Sequence, residues 1–196
     1  MDGQQALNAL MAHPRTFLKK NPLRIAGSNQ PSGVYNFAIW NAGTMFRITS
    51  DVMLAGPNNF VFPAHSIFME QSTVAPIQLH SIPTAAPPNI LVTGALSGCS
   101  IILEDGPNPG DVQAAHLQPN GETAVQLETR IAPNYQHVYG MTRYDHTAPT
   151  LSGPKSDRTV TIVGVRVNGA WKIYAQKLDL MHNYAVKSVN RIYPPD

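Results

Sequence analysis

Arg158-Thr159-Val160-Thr161-Ile162-Val163-Gly164-Val165-Arg166-Val167, then Asn168-Gly169, then Ala170-Trp171-Lys172-Ile173-Tyr174-Ala175-Gln176-Lys177-Leu178 is the stretch that decides the fold. Two runs rich in β-branched and aromatic residues are separated by Asn-Gly, the favoured pair for a tight type I′ turn. Val160, Ile162, Gly164 and Arg166 alternate with Thr161, Val163, Val165 and Val167, so at least one face of the hairpin is apolar and must be covered. This is a sheet protein.

Working outward, Val34 to Trp40 and Thr44 to Val52 read as a second hairpin through Asn41-Ala42-Gly43, with Phe37, Ile39, Phe46 and Ile48 available for a core. Ala6, Leu7, Leu10 and Met11 recur at helical spacing and predict a short N-terminal helix, ended near His13-Pro14 or resumed to Lys20. Pro57 to Pro88 is turn-rich, with a short strand expected at Ile77-Gln78-Leu79, and leads into a strand over Asn89 to Thr93. Glu122 to Ile131 suits a short helix or a strand, and Tyr184 to Tyr193 a strand or the end of a helix begun near Leu178. The expected architecture is α/β in the α+β sense: one domain over residues 1–196, a central mixed or antiparallel β-sandwich flanked by short helices.

Composition agrees. At 196 residues and 43% hydrophobic content the chain is long enough for one sizeable core and short for two. The 17 prolines and 14 glycines call for many turns rather than a helical bundle. Only 13% of residues are charged and the formal net charge is +2, which argues against binding nucleic acid by phosphate neutralisation. One cysteine leaves no intrachain disulfide to form, so the fold needs no oxidising compartment. No stretch is long and apolar enough to span a bilayer, and the N-terminus lacks the pattern of a classical signal peptide. His13, His65, His80 and His182 lack partners at zinc-ligand spacing, and no metal is expected.

The chemistry concentrates in Thr93-Gly94-Ala95-Leu96-Ser97-Gly98-Cys99 and in His116. Ser100 to Leu103 reads as a strand, Glu104 to Asp111 as a turn and Val112 to Leu117 as the returning strand. With Glu104 opposite Asp111, Cys99 falls across from His116 on one face, where cross-strand Cβ atoms lie roughly 4.5–5.5 Å apart. A slip of one residue would send His116 to the other face, and a slip of two would keep the pair together. That register opposes two acidic side chains, its weak point. An imidazole there can take the thiol proton and later return one to a leaving amine. Gly98 lets a substrate carbonyl approach the backbone, where N–H groups near Ser97 and Gly98 can form an oxyanion hole. Thr93 is placed to orient the imidazole.

Over about residues 89 to 121 these residues resemble the active-site motif of the Burkholderia lethal factor family of glutamine deamidase toxins. The same superfamily includes the catalytic domain of cytotoxic necrotizing factors and the chemotaxis receptor deamidases. Thr93, Cys99 and His116 take the positions of that family's three catalytic residues, and Leu96-Ser97-Gly98-Cys99 stands intact. The turn between Cys99 and His116 is longer than in the lethal factor itself. The resemblance implies a toxin or effector without a cofactor, secreted or injected and acting in the host cytoplasm as a monomer. Its substrate would be a glutamine of a folded host protein, a translation-initiation RNA helicase or another host regulator, with no direct role for nucleic acid or membrane. Cys99 would attack the side-chain carboxamide, ammonia would leave, and water would resolve the thioester to glutamate. A transglutaminase or cysteine protease would use the same pair. A binding module with Cys99 packed beside Ile101 to Leu103 is the third reading. His137, Tyr139, Arg143, Tyr144, Asp145 and His146 form a polar, aromatic stretch that suits either a protein contact or an ordinary solvated loop.

Overall fold

The chain starts with two short helices, α1 (Gly3–Ala12) and α2 (Pro14–Lys20). Asp2 and Gln5 cap α1 reciprocally, each side chain accepting from the other's backbone N–H, and so satisfy donors that a helix start leaves orphaned. Pro14, which has no N–H to give to the preceding turn, opens α2. The computed structural model describes residues 1–26, 30–72, 76–144 and 158–196.

Seven strands follow: β1 (Leu23–Ile25), β2 (Gly33–Asn41), β3 (Phe46–Thr49), β4 (Phe60–Ile67), β5 (Met69–Gln71), β6 (His80–Ile82) and β7 (Ile90–Thr93). Then come β8 (Ser100–Asp105), β9 (Val112–Gln118), α3 (Ala124–Ile131), β10 (His137–Tyr139) and the single turn α4 (Met141–Tyr144). β11 (Arg158–Val167), β12 (Ala170–Asp179) and β13 (Ala185–Tyr193) complete the described chain. The Asn168-Gly169 turn forms as expected, with φ of 53° and 75°, and sets Val167 against Ala170.

Among the described residues these strands make two mixed sheets. The larger runs β1-β3-β2-β4-β7-β11-β12-β13; the smaller runs β10-β8-β9-β5, with β6 also paired to β9. Alternation along the strands divides the core between layers. Ile90 and Val92 of β7, with Val163 and Val165 of β11, pack toward Leu7, Leu10, Phe17 and Leu18 of the helices. Leu91, Val160 and Ile162 face the opposite way, toward Ile101, Leu103 and Ala114 of the smaller sheet. The outer face of that sheet, Ile102, Ala115 and Leu117, is covered by Leu127 and Ile131 of α3. The protein is an α+β sandwich with helices on its two outer faces.

Three local expectations resolve differently or more sharply. The turn-rich segment Pro57 to Pro88 contains a long central strand, β4, which pairs with β2 along its length and with β7 only over His65 to Ile67. Pro63 is tolerated because that part of β4 lies before the β7 pairing begins, so its missing N–H costs no ladder bond on that side. The short strand expected at Ile77 to Leu79 lies three residues later, at His80–Ile82, where pairing with Val112 to Ala114 places Ile82 in the core. Glu122 to Ile131 is helical from Ala124, started by a capping box in which Thr123 Oγ1 accepts from the Gln126 N–H.

Candidate active site

Two chain crossings build the site. β4 and β7 lie parallel in the larger sheet with Ile67 beside Thr93, and both strands then pass to the smaller sheet, as β5 and β8. β5 pairs parallel with β9, which sets Met69 beside His116. The loop between β7 and β8 is pinned midway by Leu96, whose N–H donates to the Val160 carbonyl at 2.8 Å while the Val160 N–H donates back at 3.0 Å. Thr93, Met69, Cys99 and His116 thus meet at the corner where one sheet folds over the other.

Thr93 Oγ1 lies 2.7 Å from the Ile67 carbonyl and 2.7 Å from His116 Nδ1. Its hydroxyl has one proton, donated to that carbonyl, so toward the ring it can only accept. Nδ1 therefore carries the imidazole proton, and Nε2 is left with a lone pair. His116 is 1% exposed and its Nε2 has no hydrogen-bond partner. The ring carbon next to Nε2, Cε1, faces Gly94, where an added Cβ would sit 3.8 Å away. Burial lowers the His116 pKa to about 4, so the ring is a neutral acceptor at physiological pH.

Cys99 is 6% exposed at the end of the same loop. Its thiol donates to Met69 Sδ at 3.5 Å. Burial pushes the thiol pKa up to about 11, against a backbone hydrogen bond from Ser97 that works in the opposite direction. Gly98 has a φ of +134° and open space where a Cβ would stand. Glycine is needed there for its backbone conformation, and the open side leaves room for an approaching group.

The hairpin carries Cys99 and His116 on one face, in a register two residues from the expected one. Asp105 opposes Val112 and Ile101 opposes His116, so Cys99 is a diagonal neighbour, just before the strand begins. The turn explains the shift. The Asp111 carboxylate accepts from the Thr84 N–H and hydroxyl and from Asn108 Nδ2, and its carbonyl accepts from the Gly106 N–H. Asp111 is thereby held in the turn rather than opposite Glu104, which faces Gln113, and the acidic pair is avoided. At rest the thiol and the imidazole are neutral and not hydrogen-bonded to each other, so the proton has not passed from Cys99 to His116.

Ile67 and Met69 belong to this corner and were not legible in the motif, because the parallel pairings that bring them lie outside it. His137, Tyr139 and Arg143 line a separate cleft of about 400 Å³ between the edges of the two sheets, with Leu103, Arg191 and Ile192. Asp145 and His146 lie outside the described residues. His80 pairs with Glu70 at 3.2 Å and His182 with Asp179 at 2.8 Å, while His65 is buried edge-on to Trp171. Among the described residues no group of three or more His, Cys, Asp or Glu side chains is arranged to hold a metal ion. No protein-family model matches the chain, and no curated protein is significantly similar to it in sequence.

Proposed function

We propose that the protein is a cysteine amidohydrolase that deamidates a glutamine side chain of a folded host protein, as a toxin or effector. The observation that carries this reading is the Thr93–His116 hydrogen bond of 2.7 Å, which fixes one tautomer and reserves Nε2 as a proton acceptor beside the loop that carries Cys99. The resemblance of Thr93, Cys99 and His116 to the lethal factor deamidases supports the same assignment.

In this mechanism Nε2 takes the thiol proton as sulfur bonds to the carboxamide carbon, and the carbonyl π electrons move onto oxygen. The tetrahedral intermediate collapses, the C–N bond breaks, and the imidazolium proton goes to the departing amine as ammonia. Water then gives a proton to Nε2 and its oxygen to the thioester carbon; the C–S bond breaks, and sulfur regains the proton from the ring. A carboxylic acid has replaced the amide and the protein is unchanged. Forming the ion pair only as substrate displaces water and contacts the sulfur suits a site where burial holds both groups neutral at rest.

A second reading, a binding module with Cys99 packed in its core, is favoured by the raised thiol pKa. Mass spectrometry of a host-cell lysate after incubation with the wild type, Cys99→Ser and His116→Ala separates the two. Deamidase chemistry predicts glutamine-to-glutamate conversion at defined sites with the wild type only. Equal conversion by folded Cys99→Ser, or none by any of the three, would leave the packed-cysteine reading. A primary amine added to the same reaction reports whether an amine or water resolves the acyl-enzyme.

A further inference from the structure

We propose that Met69 is a positioning residue that gates this site: its thioether holds the Cys99 thiol apart from His116, and nucleophile and base couple only when the Met69 side chain turns outward. The inference rests on the reading of Cys99 and His116 as the reactive pair.

Three observations carry it. Cys99 Sγ has Met69 Sδ as a hydrogen-bond partner 3.5 Å away, although a thioether is a weak acceptor and an imidazole nitrogen a strong one. That nitrogen, His116 Nε2, is buried without a hydrogen-bond partner, an arrangement that costs free energy for as long as the thiol is directed elsewhere. Met69 is also placed to move. It starts the three-residue strand β5, at the edge of the smaller sheet, and is 36% exposed, whereas Cys99 behind it is 6% exposed. Its register neighbour is His116 itself.

Sulfur attack on any acyl carbon requires space in front of Cys99 Sγ, and Met69 Sδ occupies part of that space. An unbranched side chain with three rotatable bonds can leave without disturbing the strand that carries it. Once it leaves, the S–H donor exchanges a weak acceptor for the vacant Nε2. Substrate binding and base engagement thus become one event, and the thiol stays protonated and unreactive between encounters. An apolar side chain flanking the target glutamine is the natural replacement for the thioether.

Thiol alkylation by iodoacetamide reads the coupling without any substrate. Rates are compared across the neutral to alkaline range for the wild type, Met69→Leu, Met69→Ala, and each combined with His116→Gln, with melting curves to confirm folding. The expected result is at least about tenfold faster alkylation of Met69→Ala at neutral pH, with a midpoint displaced toward neutrality. Met69→Leu keeps the bulk, removes the acceptor and should displace the midpoint in the same direction. Adding His116→Gln should return both midpoints to the wild-type value. A rate gain with an unmoved midpoint would reduce Met69 to a steric cover and overturn the proposal, as would a displaced midpoint that persists without His116. Because no glutamine is involved, displaced midpoints in a protein that converts no glutamine would retain the gate and remove the deamidase. Glutamine conversion with unmoved midpoints would do the reverse.

Discussion

Thr93 is the residue on which the geometry of the site turns, because one hydroxyl serves two buried partners. Thr93→Val keeps the shape and β-branching but leaves the Ile67 carbonyl and the His116 Nδ1–H without their partner. Unsatisfied buried groups cost about 1–3 kcal/mol each, so urea unfolding should show a loss of about 2 kcal/mol or more. The proton on His116 is then no longer confined to Nδ1, and the rate of glutamine conversion should fall about tenfold or more. Thr93→Ser restores the hydroxyl at the cost of a methyl and should recover most of both losses. Full activity in Thr93→Val would assign the orienting role to the backbone. Thr93, Cys99 and His116 were legible from spacing because they share one continuous stretch of strand, loop and hairpin. Met69 had no such signal.

At the scale of elements, one buried amide fastens the end of α2 to the larger sheet beside the apolar packing of both helices. Gln176, fully buried on β12, donates from Nε2 to the Leu18 carbonyl at 2.6 Å and the Asn21 carbonyl at 2.8 Å, and its Oε1 accepts from the Leu23 N–H at 2.8 Å. It ties the end of α2 and the start of β1 to β12, next to the edge strand of the larger sheet. Gln176→Leu matches its size and leaves three backbone groups unsatisfied; the expected loss is about 3 kcal/mol or more in chemical denaturation, with the midpoint shifted and little change at the thiol. A loss under about 1 kcal/mol would mean that water takes over the amide's role. The hairpins over Val34 to Thr49 and Arg158 to Asp179 could be read from the sequence because local alternation and turn chemistry decide them. β4 could not. Pro63, His65 and Ser66 interrupt its apolar pattern, and its place between β2 and β7 is fixed by partners distant in sequence. The register of the Cys99 hairpin was missed for a similar reason: Asp111 is committed by Thr84, which lies 27 residues earlier in the chain.

For the molecule as a whole, the buried histidines set the response to acid. His116 has a folded-state pKa of about 4 against an ordinary value of 6.5, through burial alone. His65 is lowered by burial and by the nearby Arg166. Between those values the unfolded chain binds a proton that the folded chain refuses, so stability rises with pH through this window and is lost as pH falls from 6.5 toward 4. His116 alone accounts for up to about 3 kcal/mol of that loss, and below pH 4 its contribution levels off because both states are protonated. A second fall follows at lower pH. The carboxyls of Asp111, held by Thr84 and Asn108, of Glu122, held by Arg130, and of Asp179, held by Lys187 and His182, all lie below their ordinary range and lose these bonds on protonation. Thermal melting as a function of pH should therefore show two steps. His116→Gln, which cannot titrate, should reduce the first step to the part that His65 contributes and leave the second in place. A melting temperature that is flat from pH 6.5 to 4 in the wild type would show that His116 is protonated at little cost in the folded state, and would remove the neutral acceptor on which the proposed proton transfer depends.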